Sequence, residues 1–176
     1  MANFAIIHAR HAEEFEYVII DITEIIPESY RNACSFLTDD IELYLPNEYE
    51  LFLKSPARKK IIWLVPSQLE LLENESFDFF CNTESFAEMP PYVAQNYWIE
   101  VERLLKIDSF AFLVNRVSRF TGESHDCYSE MSSPFKLQSN RLKPVSVSVD
   151  KFRSKIPKFT DRPNLVSVYK SLQDKC

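Results

Sequence analysis

Three runs of strand length constrain this chain more than anything else in it. Glu16-Tyr17-Val18-Ile19-Ile20-Asp21-Ile22, Lys60-Ile61-Ile62-Trp63-Leu64-Val65 and Ser109-Phe110-Ala111-Phe112-Leu113-Val114-Asn115 are almost unbroken apolar segments. Continuous rather than alternating apolarity marks a strand buried on both faces, the condition of strands in a parallel sheet covered by helices. Helical segments lie between them. Pro27 opens one through Cys34 to Leu37. Pro90 and Pro91 open another, in which Val93, Tyr97, Val101, Leu104 and Leu105 recur at helical spacing. Phe77 to Cys81 supplies a further strand between the second and third runs. Strands alternating with helices in this way predict an α/β fold, a parallel sheet with helices on both faces.

The remaining segments are less regular. Phe4 to Glu14 reads as a helix, Ile41 to Leu45 as a short strand between loops marked by Pro46 and Pro56, and Gln68 to Leu72 as a short helix after Pro66. Residues 116–144 are polar without a period and read as a loop or lid over the strand ends. Val145 to Val149 alternates valine with serine, as a strand exposed on one face does, and Leu165 to Tyr169 reads as a last strand. Phe77, Phe79, Phe80, Trp63 and Tyr97 look like an aromatic core cluster.

With 176 residues, 45% of them hydrophobic, the chain has enough apolar mass for one sizeable core, so a single domain over 1–176 is expected. A formal charge of −6 argues against nucleic acid as a partner, because phosphate-binding domains present a net basic face. No run of 18 apolar residues exists, and the first fourteen residues are too polar for a signal core, so no membrane partner and a cytoplasmic location are expected. Cys34, Cys81, Cys127 and Cys176 are widely spaced and read as reduced thiols. His8 and His11 could share a metal, but no third ligand is placed, and a surface pair is the better reading.

The oddest count is a single glycine, Gly122, where ordinary usage of about 7% gives about a dozen. A nucleotide-type cofactor normally meets a glycine-rich turn after the first strand, where the absence of side chains lets the backbone approach the ligand. No such turn occurs in these 176 residues.

At Phe77-Asp78-Phe79-Phe80-Cys81-Asn82-Thr83-Glu84-Ser85-Phe86-Ala87-Glu88-Met89, an apolar strand pattern breaks into small polar and acidic residues before a helix begins. Ligands in open α/β sheets sit beyond such strand ends. The Asp-x-x-x-Asn-x-x-Ser-Phe-x-Glu-Met pattern resembles the fourth-strand motif of bacterial sugar O-methyltransferases of polysaccharide gene clusters, class I enzymes that use S-adenosylmethionine. Tyr17 to Asp21 is similar to that family's second strand and its terminal acid. The resemblance runs from about Ala12 to Arg116. It implies an α/β fold, a Rossmann-like class I methyltransferase sheet with helices on both faces, and S-adenosylmethionine as cofactor, with a sugar or sugar nucleotide as substrate. It puts the glycine loop before the first helix, which here begins at Asn3. An N-terminally truncated domain lacking the first strand is therefore expected, from a late start, a gene remnant or a deliberate fragment.

By the same resemblance Asp21 accepts hydrogen bonds from the ribose hydroxyls, Ser67 and Gln68 lie along the adenine, and Asn82, Thr83 and Ser85 face the methionine part and the substrate. Glu84 and Glu88 are the candidate general bases, since transfer to a hydroxyl needs a carboxylate or imidazole within reach of the departing proton. Glu88 reads equally as an acid favouring the positive end of the helix near Pro90. Arg116 and Arg119 could hold an anionic sugar nucleotide through guanidinium forks, or form a surface pair. His125, Asp126 and Cys127 read as solvated loop residues. Without the glycine turn, weak cofactor binding is expected. A different reading is a non-catalytic remnant or interaction module, homo-oligomeric through an exposed sheet edge.

Overall fold

The computed structural model describes residues 11–83, 85–116, 138–149 and 164–173. The chain divides into two compact units, Met1–Leu71 and Leu72–Cys176. In the first, β1 (Phe15–Ile20), β2 (Glu42–Tyr44) and β3 (Lys59–Leu64) form a parallel sheet in the order β1-β3-β2. Alternation along β3 sends its side chains to opposite faces. On one face Ile61 and Trp63 pack with Ile19, Ile26, Ala33 and Ile41, and the buried Trp63 Nε1 donates to Ser29 Oγ of α1 (Ile26–Phe36) at 2.9 Å. On the other, Lys60 reaches α2 (Tyr49–Lys54). Its Nζ donates to the Phe52 carbonyl at 3.2 Å, stands 4.6 Å from the Phe52 ring and pairs with Glu16 at 2.9 Å. A nearly buried ammonium is tolerable only when partnered in this way. The sheet of this unit thus has helices on both faces.

In the second unit, β4 (Phe77–Thr83), β5 (Leu105–Arg116), β6 (Leu142–Val149) and β7 (Asn164–Ser171) form a sheet in the order β4-β5-β7-β6. β4 and β5 are parallel, and β7 runs antiparallel to both β5 and β6. The crossover from β4 to β5 contains α3 (Pro91–Leu104). Its Ala94, Trp98 and Val101 pack with Phe86, Ala111, Leu113, Leu142 and Tyr169, and Trp98 meets Tyr169 edge-on at 4.9 Å between centroids. β5 carries a bulge. Phe77 pairs with Leu105 but Phe79 with Phe110, and Asp108 takes a left-handed φ of 66° inside the extra residues, held by Lys170 at 2.8 Å.

Several sequence expectations are corrected. Residues 11–14, expected as the end of a helix, are turn and bend leading into β1, and residues 4–10 lie outside the described set. The short helix after Pro66 is a 3-10 turn, Pro66–Leu71. The segment read as loop between Pro46 and Pro56 contains α2, too short for its period to show in the sequence. β6 starts at Leu142, inside the expected loop. The five aromatics are not one cluster. Trp63 belongs to the core of the first unit, while Phe77, Phe80 and Tyr97 pack in the second. Phe79 points to the other face of β4 and is 45% exposed. Among the described residues no helix is long and apolar enough to cross a membrane.

Candidate functional site

The carboxyl ends of β1 and β3 lie side by side because the two strands run parallel and in register to their last residues, Ile20 opposite Leu64. Asp21 extends the ladder by one bond, its N–H donating to the Leu64 carbonyl at 3.2 Å. Its half-buried carboxylate accepts a hydrogen bond from the Ile22 N–H at 2.9 Å through Oδ1, and has no other partner among the described residues. A strand spacing of about 4.8 Å puts the Pro66 turn directly beside it. Ser67 is exposed in that turn.

Gln68, expected along an adenine, is already engaged. Its Oε1 accepts from the Val65 N–H at 3.0 Å and its Nε2 donates to the Pro46 carbonyl at 2.9 Å. It is a clamp joining the ends of β2 and β3, holding the turn that presents Ser67. Of the three first-unit candidates, Asp21 and Ser67 therefore have side-chain atoms open to a ligand.

The second unit gathers Asn82, Thr83 and Ser85 at the carboxyl end of β4. Asn82 is 2% exposed and closes the strand as a cap: its Nδ2 donates to Ser85 Oγ, and its Oδ1 accepts from the Phe86 N–H at 3.3 Å. This cap bends the chain into the 3-10 turn Ser85–Glu88 and buries Phe86 beneath it. The local folding reason is that a short carboxamide satisfies backbone groups the ladder has left free. Thr83, paired with Val114, is half-buried. Burial pushes the neighbouring Cys81 thiol above its ordinary range.

Glu84, Arg119, His125, Asp126 and Cys127 lie outside the described residues. Glu88 closes the 3-10 turn and Arg116 ends β5, but their side chains also lie outside that set. Among the described residues no group of three or more His, Cys, Asp or Glu could hold a metal ion. Sequence reasoning missed Asn115, 4% exposed, near the carboxyl end of β5 with its Oδ1 unpartnered. The available signal was the one that marked Asp21: a polar residue closing an apolar run at a strand end.

No protein-family model and no curated protein matches this sequence. Solved structures do. The chain is similar to the N-methyltransferase NodS from Bradyrhizobium japonicum WM9, at 13% identity, over 98% of this chain and 81% of that one, with a TM-score of 0.57. NodS in complex with S-adenosyl-L-homocysteine matches at 8% identity, over 97% and 85%, with a TM-score of 0.50. The [4+2]-cyclase SpnF matches at 10% identity, over 97% and 79%, with a TM-score of 0.52. These likenesses establish the fold, the Rossmann-like α/β fold of class I methyltransferases. A cyclase among them illustrates that this fold hosts more than one chemistry.

Proposed function

We propose that this chain is an S-adenosylmethionine-dependent O-methyltransferase domain acting on a sugar hydroxyl in polysaccharide biosynthesis. The observation that carries the cofactor part is Asp21: a half-buried carboxylate at the end of a parallel strand, oriented by the next backbone N–H, with acceptor capacity left over. A ribose diol is a pair of donors that such a carboxylate can accept. The methyltransferase fold of the neighbours and the Asn82-to-Met89 motif support the same reading, and the motif alone supports the sugar substrate.

Bound S-adenosylmethionine would supply a methyl group on a sulfonium, which passes in line to the acceptor oxygen while the thioether leaves and the hydroxyl proton departs. The chain's residues have the tasks of binding, orienting and taking that proton. Asp21 holds the ribose and Ser67 lies along the adenine on the turn that Gln68 clamps. Asn82, through its cap, fixes the positions of Thr83 and Ser85 toward the methionine part and the acceptor. Glu84 and Glu88 are the proposed proton acceptors, and Arg116 and Arg119 the proposed partners of an anionic sugar nucleotide.

The test is transfer of labelled methyl from S-adenosylmethionine, at millimolar concentration, to a mixed pool of nucleotide sugars and polysaccharide. Label in an alkali-stable sugar O-methyl ether is expected, with Glu84→Gln slowing it by about 10²–10⁴-fold. Label only on nitrogen, or none, contradicts the reading. A second reading, an interaction module, is favoured by one observation: β1 has a ladder partner on one side only among the described residues, which suits pairing with another chain.

A further inference from the structure

Four buried side-chain polar atoms among the described residues have no hydrogen-bond partner: Trp98 Nε1, Asn115 Oδ1, Arg141 Nε and Ser167 Oγ. Three of them lie further from the carboxyl end of β5 than Asn115 does. Ser167 lies opposite Leu113, Trp98 packs on Tyr169, which is opposite Ala111, and the Arg141 guanidinium is otherwise engaged by Glu75, the Leu105 carbonyl and Ser171. Asn115 differs in place. It is the next-to-last residue of β5, two beyond Leu113, the register partner of Asn82, and alternation puts it on the α3 side of the sheet with Asn82.

The two amides have opposite fates. Asn82 is satisfied at both ends by the cap it forms. Asn115, 4% exposed, leaves a buried acceptor unmade, in a layer otherwise filled by Leu113, Trp98 and Phe86. A buried acceptor without a donor costs folding free energy that an apolar side chain of similar size would not. Each such group calls for an explanation, and at a strand end a bound molecule that supplies the missing partner is one.

Resting on the reading of the previous subsection, we infer that Asn115 is a ligand-contacting residue of the β4–β5 strand ends, its carboxamide pairing with a hydroxyl of the bound molecule. A hydroxyl both donates and accepts, as a carboxamide does. The ribose hydroxyls are assigned to Asp21, so the hydroxyl met by Asn115 is one of the acceptor sugar, and two titrations separate the acceptor from the cofactor.

Wild type and Asn115→Leu are melted alone, with increasing S-adenosylhomocysteine, and with increasing mixed methyl hexosides at saturating S-adenosylhomocysteine. Without ligand the variant should melt about 2–6 °C higher, because it removes an unpaired buried oxygen and keeps the volume. With ligand it should need about tenfold more, or fail to respond, in the hexoside arm alone. Loss in the hexoside arm with an unchanged S-adenosylhomocysteine response is the expected result, and a weakened S-adenosylhomocysteine response overturns the assignment to the acceptor. A lower melting temperature for the variant, or unchanged responses in both arms, overturns the inference. If S-adenosylhomocysteine stabilises neither protein, the cofactor reading itself is overturned and the inference goes with it.

Discussion

Asn82 and Asp21 show how one kind of residue, a short polar side chain at a strand end, divides between structure and ligand. The carboxamide of Asn82 is spent on Ser85 and Phe86, whereas Asp21 engages one neighbour and leaves acceptor capacity. Asn82→Ala should therefore destabilise the second unit by about 1–3 kcal/mol, since it strands the buried Phe86 N–H. Chemical denaturation measures this, and a change within error would mean that Phe86 has found another acceptor. Cysteine chemistry gives an independent check on burial. Cys34 is exposed, while Cys81 is half-buried with its thiol pushed up by desolvation. A thiol-alkylating reagent at neutral pH should label Cys34 well before Cys81 in peptide mapping. At this scale the sequence was only partly legible. Residue type located the strand-end groups, but Gln68 clamping Pro46 across 22 positions of chain, and Asn115 lacking a partner, are facts of tertiary contact that no local pattern contains.

The legible elements are the strands of six residues or more and the longer helices. β1, β3 and β5 showed as apolar runs, α1 as a segment opened by proline and α3 as a proline-opened period. Of the three runs, only β3 is buried on both faces as expected; β1 is partly covered and β5 alternates between buried and exposed positions, with Phe110 42% exposed. α2, with six residues, and the 3-10 turns have too few positions to repeat a period. The antiparallel placement of β7 between β5 and β6 was likewise hidden, since alternation tells which face is wet and not which strand is the neighbour. Two expectations belong here. Ser29→Ala removes the acceptor of the buried Trp63 indole N–H and should cost the α1–β3 packing about 1–3 kcal/mol in unfolding experiments. The turn into β2 should respond to acid. Hydrogen bonds from Lys59 and Thr38 hold Asp40 below the ordinary carboxylate range, and those from Ser55 and Tyr44 hold Glu42 below it. A folded-state pKa lowered in this way gives stability that is present above the unfolded value and lost as pH falls through the folded one. An Asp40→Asn, Glu42→Gln double variant should thus be slightly less stable than wild type near neutrality, and the two curves should converge below about pH 4. A gap that persists into strong acid would contradict the assignment. Both groups are exposed, so the gap is small.

For the molecule as a whole, the class of fold was legible and the chemistry less so. The α/β class follows from strand and helix order, and its methyltransferase form from the resemblance at Tyr17 to Asp21 and Asn82 to Met89; the solved neighbours bear out that fold, whereas substrate and base rest on residues whose role depends on what they face. The central claim is that the chain uses S-adenosylmethionine through Asp21. These 176 residues hold a single glycine, so the contacts they offer the cofactor are those of strand-end side chains, and the affinity expected of them is millimolar rather than micromolar. The most direct measurement is calorimetric and thermal-melting titration of wild type and Asp21→Ala with S-adenosylhomocysteine up to high millimolar concentration. Saturable stabilisation of wild type, weakened about tenfold or abolished in Asp21→Ala while its ligand-free melting stays within a few degrees, is the predicted result. No stabilisation of wild type, or equal stabilisation of both proteins, would contradict it.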